Sequence, residues 1–253
     1  MTLTGDNRTM KGTKQILLAG FAALCMVLPA CRSTSEPELV EAPPLVVSNP
    51  PLTTASYTAE YTQDGALPFT CEVKLASDNR IRRDYVWKDE KDAEKRVSIV
   101  IDGKEAIRIE DGKPAPVNDV DTAKARFFAG LILNIDSVVS NARKKKDLQD
   151  VDGIPCCVFV LELSGIPDME SCLMASAQNT NQWLHLFVPM TDDSDTVIST
   201  DFQDYKSESG VTYPSRIVSS TDGGAPVTCT IRDVRINPEL PDELFKLPDS
   251  NNG

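Results

Sequence analysis

Phe69-Thr70-Cys71-Glu72-Val73-Lys74-Leu75 alternates apolar and polar residues, and nine further short segments of this 253-residue chain read as strands of similar length. Period-two patterning constrains the fold more than any other feature, because it places one apolar face on a strand and scatters around a helix. The other segments run Ile81–Trp87, Arg96–Ile101, Ala106–Ile109, Cys156–Leu163, Ser171–Ala177, Gln182–Val188, Val197–Tyr205, Val211–Ser219 and Val227–Ile236. Short polar turns separate most of them, and Asp102-Gly103-Lys104 and Asp152-Gly153 are hairpin signals. Some ten strands in succession make a single antiparallel sheet or open barrel the economical architecture. Val234 and Ile236 fall out of phase with Val227, Cys229 and Ile231, which predicts a β-bulge near Arg232-Asp233.

One segment departs from the rhythm. Between Asp119 and Arg143 the residues Phe128, Leu131, Ile135, Val138, Val139 and Ala142 recur at helical spacing, and Asn118 or Asp119 can serve as N-cap. The spacing predicts one long amphipathic helix over 119–143. Phe127, Ile132 and Leu133 broaden its stripe, as suits a helix lying across a concave sheet. Arg143-Lys144-Lys145-Lys146 then reads as the helix C-terminus, where cations suit the dipole.

The N-terminus addresses the chain. Arg8, Lys11 and Lys14 precede an uncharged run of 13 residues, Ile16 to Leu28. A membrane span needs about 20 apolar residues, so this is a secretory signal over 1–30. Leu28-Pro29-Ala30-Cys31 resembles a bacterial lipobox, which makes Cys31 the residue of lipid attachment and the first of the mature protein. Residues 31–56 follow as a tether: Arg32 to Ser56 holds five prolines and no aromatic residue, and its 25 residues could reach roughly 75 Å from a bilayer. A domain over 57–248 and a short disordered tail, 249–253, complete the chain. The expected location is the bacterial envelope, on the periplasmic side of the outer membrane.

Charge then limits the partners. Loss of residues 1–30 removes three basic residues and Asp6, leaving 23 Lys and Arg against 37 Asp and Glu, a net charge of −14. Nucleic-acid binding draws its affinity from cations on phosphates, so no nucleic acid is expected. No cofactor and no metal are expected either. Cys156 and Cys157 are adjacent and point to opposite strand faces, and Asp192-Asp193-Ser194-Asp195 lacks the glycine and distal glutamate of a calcium loop. The domain's five cysteines are an odd number, so at least one is a thiol, and whether one disulfide forms is open. The sole histidine, His185, stands among Trp183, Leu184, Leu186 and Phe187 with no hydrolase motif around it. It reads as a satisfied strand histidine, and the chain as a non-enzyme.

The last hundred residues carry a resemblance. Phe202-Gln203-Asp204-Tyr205, Gly210-Val211-Thr212-Tyr213-Pro214-Ser215-Arg216-Ile217, Val234-Arg235-Ile236-Asn237 and Asp242-Glu243-Leu244-Phe245-Lys246-Leu247-Pro248 resemble the end of the outer-membrane lipoprotein-sorting family, the LolA/LolB-like proteins. Asp150-Val151-Asp152-Gly153-Ile154-Pro155 is similar to that family's central hairpin, whereas Gln178-Asn179-Thr180-Asn181 replaces its charged strand and turn. The resemblance implies a half-barrel of about ten or eleven antiparallel strands whose concave apolar face accepts acyl chains. With the helix over 119–143 covering that face, the expected class is α+β.

Three strand faces present apolar rows: Phe69, Cys71, Val73 and Leu75; Cys157, Phe159, Leu161 and Leu163; Val227, Cys229 and Ile231. If they line a cavity, the ligand-contacting residues are Phe69, Val73, Trp87, Phe128, Leu131, Phe159, Leu161, Trp183, Phe187 and Ile231. The same rows could form a sealed core. The expected function is an envelope lipoprotein that binds the acyl chains of lipids or lipoproteins, joined to the membrane through lipidated Cys31, with lipoprotein sorting as the implied task. The alternatives are an envelope-stress sensor using the fold to contact a protein partner, and a structural surface lipoprotein with no ligand.

Overall fold

A computed structural model describes residues 39–41, 52–119, 122, 125, 126, 143–145, 147–162, 170–176, 183–189, 197–221 and 224–248. Its strands are β1 (Leu39–Glu41), β2 (Thr54–Gln63), β3 (Phe69–Ala76), β4 (Arg80–Lys88), β5 (Glu94–Asp102), β6 (Ala106–Glu110), β7 (Lys113–Pro116), β8 (Arg143–Lys145), β9 (Gln149–Val151), β10 (Ile154–Glu162), β11 (Glu170–Ser176), β12 (Trp183–Pro189), β13 (Val197–Glu208), β14 (Val211–Ser220) and β15 (Val227–Ile236). All fifteen belong to one antiparallel sheet in the order β1-β8-β10-β11-β12-β13-β14-β15-β2-β3-β4-β5-β6-β7, with β9 beside β10. Two meanders, β2 to β7 and β10 to β15, are joined where β15 pairs with β2. Among the described residues the sheet stays open, with β1 and β7 as its two ends.

Turn chemistry fixes the hairpins. Asp152 and Gly153 adopt φ of 52° and 82°, and Asp111 and Gly112 adopt 50° and 75°. Two consecutive left-handed residues are what the tightest hairpin turn requires, and Asp-Gly supplies them at little steric cost. The bulge expected near Arg232-Asp233 is present: pairing with β2 shifts register between Arg232 and Arg235, and Asp233 has φ 53°. Such bulges bend a strand and help a wide sheet curl.

The α+β expectation is corrected. No α-helix stands among the described elements, whose one helical turn is the 3-10 turn Asp242–Phe245. Asp119, Thr122, Ala125 and Arg126 have helical backbone, and the Thr122 amide donates to Asn118 O at 3.0 Å. A helix continuing through Arg143 is overturned, since Arg143–Lys145 form β8 and pair with Phe159 and Val160 of β10. The basic cluster therefore lies on a strand rather than at a helix C-terminus. Most of the intervening stretch, Phe128 and Leu131 included, lies outside the described residues.

Eleven strands, β2 to β6 and β10 to β15, send side chains into one core on the inner face of the sheet. Ala55, Cys71, Val73, Ile101, Phe159, Leu161, Leu173, Leu186 and Ile231 are all nearly or fully excluded from solvent there. A single sheet can bury one face over such a width only by curling around it and receiving cover, and Ala125 is part of that cover. On the outer face, Cys156, Val158 and Met174 form a second, smaller cluster.

The C-terminal motifs are fasteners. Asn237 Oδ1 accepts from the Thr53 amide at 2.8 Å and the Thr53 hydroxyl at 3.0 Å, while the Asn237 amide donates to Thr54 O, pinning the start of β2 to the end of β15. Phe245 is buried on the outer face of β4 and β5, with the Arg80 guanidinium 5.0 Å from its ring centroid. Arg80 also binds Asp242 at 2.8 Å, and Arg82 donates to Leu244 O at 3.2 Å.

Candidate functional site

The inner face follows from strand phase. Register sets Tyr57 beside Val73 and Val73 beside Arg83, Ala59 beside Cys71 and Cys71 beside Tyr85, and Tyr61 beside Phe69 and Phe69 beside Trp87. From β15, Cys229 stands opposite Tyr61 and Ile231 opposite Ala59. Cross-strand pairing thus converts four separate period-two patterns into one apolar patch.

Of the residues expected to contact ligand, the structure brings Phe69, Val73, Trp87, Phe159, Leu161 and Ile231 into this one core. Val73, Phe159, Leu161 and Ile231 lie deep, at 1–2 % exposure, whereas Phe69 and Trp87 are only partly buried. Trp183 and Phe187 fall on β12, in register with Ala175 and Cys172 respectively. A bulge between Met174 and Ala175 changes the strand phase, so the two occupy register positions on opposite faces of the sheet. Phe128, Leu131 and Cys31 lie outside the described residues.

The partly buried aromatics gather at one end. Tyr61 and Phe69 stack with ring centroids 4.5 Å apart and planes 11° from parallel, and Tyr85 lies 6.2 Å from Phe69. Tyr61, Phe69 and Trp87 make an aromatic rim where β2 passes to β3 and β4 to β5, with Tyr85 buried behind it. Rigid amphipathic rings suit an entrance that is wet on one side and apolar on the other.

One cation interrupts the inner face. Arg83 is 9 % exposed, its Nη2 donates to Tyr61 Oη at 3.4 Å, and its guanidinium lies 5.3 Å from the Tyr85 ring centroid. Burial pushes the Tyr57, Tyr61 and Tyr85 phenols and the Cys71 thiol up, and the Cys229 thiol up to about 12. These groups are neutral at pH 7 and meet the arginine as dipoles. The sequence carried a signal for Arg83, since it shares the phase of Ile81, Tyr85 and Trp87, but strand patterning alone does not separate a buried charge from one at a rim. The inner hydroxyls are satisfied locally: Thr200 and Ser219 are 3.1 Å apart, and Ser215 donates to Asp204 O at 2.6 Å.

The cysteines are thiols, so no disulfide joins Cys71, Cys156, Cys157, Cys172 and Cys229. Cys157 faces inward and Cys172 outward, in register with Val160, an arrangement no disulfide geometry spans. His185 lies on the outer face, where its Nδ1 bonds the Asp201 carboxylate and its Nε2 lies 3.0 Å from Ser199 Oγ. Hairpin register builds this row from residues 14 and 16 positions apart, a spacing with no motif in the sequence. Ser199 pairs in register with Phe187 of β12 and Ser220 of β14. The row is a hydrogen-bonded ladder that holds β12 to β13.

No protein-family model matches the chain, and no curated protein matches it in sequence. Solved structures do match in fold. A LolA superfamily protein from Nitrosomonas europaea is similar with a TM-score of 0.57 at 11 % identity, over 79 % of this chain and 92 % of that one. A domain assigned as an outer membrane lipoprotein-sorting protein from Vibrio parahaemolyticus is similar with a TM-score of 0.56 at 8 % identity, over 78 % of this chain and 91 % of that one. The fold is LolA-like.

Proposed function

We propose that the chain is a non-enzymatic protein of the bacterial envelope whose half-barrel binds the acyl chains of lipids or lipoproteins. The observation that carries this reading is the inner face itself: apolar side chains from eleven strands in one continuous patch, bordered by the aromatic rim Tyr61, Phe69 and Trp87. An acyl chain needs a dry lining with few unsatisfied polar atoms, and this face offers one. The LolA-like fold of the two solved structures supports the reading. Lipid attachment at Cys31 would tether the domain to the membrane, and sorting of other lipoproteins is the task such a carrier would serve.

Uptake of a fluorescent fatty acid tests the proposal. Phe69 is partly buried at the rim, so Phe69→Glu places a charge on the path of an acyl chain without opening the deepest core. The wild-type chain should take up the probe, and Phe69→Glu should weaken uptake at least about tenfold, the scale set by desolvating one polar group. Equal uptake by a folded Phe69→Glu variant contradicts the reading.

A further inference from the structure

Beyond Arg83, cations gather at the β5–β7 margin of the inner face. The inner-facing positions of β2 and β3 carry no charged residue. On β4 to β7 the same strand phase holds Arg83, Lys95, Arg108 and Lys113 against one carboxylate, Glu110. Lys95 lies 3.8 Å from Asp89 of the β4–β5 turn. The chain as a whole carries 26 Lys and Arg against 38 Asp and Glu, so this margin reverses its overall sign.

Register joins two of these cations. Arg83 stands opposite Ile99, and Ile99 opposite Arg108, so the arginines share one row on either side of Ile99. Two strand spacings put their backbones about 10 Å apart, within reach of two long side chains toward one group. The row runs from the core toward the end of the sheet: Arg83 and Ile99 are 9 % exposed, whereas the Arg108 side chain is 32 % exposed. Among the described residues Arg108 bonds Glu110, through Nη2 at 2.8 Å. An arginine's planar fork carries several N–H donors, so one carboxylate oxygen leaves much of it for a second acceptor. Lys113 stands opposite Glu110 on β7. The Val117 amide donates to Ala106 O at 3.1 Å, a phase that leaves Pro114 and Pro116 at the β7 positions whose amides would point away from the sheet. Proline has no amide hydrogen, so the edge beside Arg108 is guarded against a further strand.

We infer that the Arg83–Ile99–Arg108 row, with Lys113 beside it, is an oxyanion subsite that holds the carboxylate or phosphate head of an acyl ligand while the chain lies along the apolar face. The inference rests on the acyl-binding reading above and narrows it to ligands with an anionic head. Val73, on the other side of Arg83 from Ile99, leads from the row into the apolar patch. Charge-assisted hydrogen bonds from guanidinium to an oxyanion are stronger than neutral ones, and stronger again beside a dry face. Glu110 competes with the ligand for the Arg108 fork.

Titration calorimetry on the full chain at neutral pH compares lauric acid and lauroyl lysophosphatidic acid with lauryl alcohol, which has the same chain and no charge. The acids should bind at least about tenfold tighter than the alcohol, the scale of one hydrogen bond to a charged group, and the tighter of the two tells a carboxylate head from a phosphate. Arg108 is half-exposed, so Arg108→Gln removes its charge without opening the core. That variant should lose most of the preference for acids and keep its affinity for the alcohol. Glu110→Gln should increase the preference, an effect that a purely structural ion pair would not produce. Equal affinity for acids and alcohol in the wild-type chain, or a preference unchanged in Arg108→Gln, overturns the subsite and leaves acyl binding standing. Binding of none of the three probes overturns the acyl reading and the subsite together.

Discussion

Asp84 shows how single residues decide the outer face. It is buried, takes a two-pronged hydrogen bond from Arg82 at 2.8 and 3.0 Å and one from Ser98 Oγ at 2.6 Å, and lies 3.8 Å from Lys74. Burial alone would raise its pKa, but the bonds from Arg82 and Ser98 and the charges of Arg82 and Lys74 outweigh it and hold the carboxyl below its usual range. A depressed carboxylate contributes stability that is present above its ordinary pKa and lost as pH falls through the folded value, below 3.8. Asp84→Asn should cost about 1.5–3 kcal/mol in urea unfolding at pH 7, the scale of hydrogen bonds to a charged group, and flatten the loss of stability in acid. The thiols work at the other end of the scale. Cys229 is raised to about 12 by burial, so its contribution is complete below the ordinary thiol value of 9.0 and is lost as pH rises toward 12. The melting temperature should therefore fall above about pH 9, and Cys229→Ala should lessen that fall. Residue types alone disclosed neither site: Asp84 reads as one more surface acid until the register shows Ser98 opposite it.

At the scale of elements, strong alternation was legible and weak alternation was not. Phe69–Leu75, Ile81–Trp87 and Val227–Ile236 match β3, β4 and β15 within two residues, because large apolar side chains recur every second position. Strand β2 went unread, since Ala55, Tyr57 and Ala59 make a face too small to register as hydrophobic, although it supplies the seam between the two meanders. Strands β1, β7 and β8 are three or four residues long and too short to show alternation, and pairing partners rather than patterning make them strands. The basic run at 143–146 misled for the same reason, as cations end helices and also guard sheet edges. Two predictions belong here. Phe245→Ala should destabilise the chain by about 3–5 kcal/mol in denaturant unfolding, because a deeply buried aromatic leaves a cavity between the 3-10 turn and the outer face of β4 and β5. Replacing Pro114 and Pro116 by valine restores two outward donors on β7, and light scattering should then show association beyond that of the wild-type chain; unchanged size would argue against the prolines as an edge guard.

For the molecule as a whole, the sheet is one surface with two uses. Its outer face is held by charge networks, the C-terminal turn and the His185 ladder, while its inner face is apolar except for Arg83 and a few satisfied hydroxyls. Of the three apolar rows read from the sequence, Phe69, Cys71, Val73 and Leu75, Cys157, Phe159 and Leu161, and Cys229 and Ile231 prove to be parts of a single patch, which no local pattern could disclose because β15 meets the β2–β3 hairpin only through long-range pairing. The aromatic rim beside Arg83 follows from the same pairing. Native mass spectrometry with lipid extraction, on the Cys31→Ser chain purified gently so that covalent lipid does not confuse the mass, tests most directly whether that patch is a binding face. Acyl lipid bound near one per chain, and lost in Phe69→Glu, is the predicted result. A lipid-free mass for the wild-type sequence at that face, with no uptake of added fatty acid, would contradict it and make the inner face a sealed core.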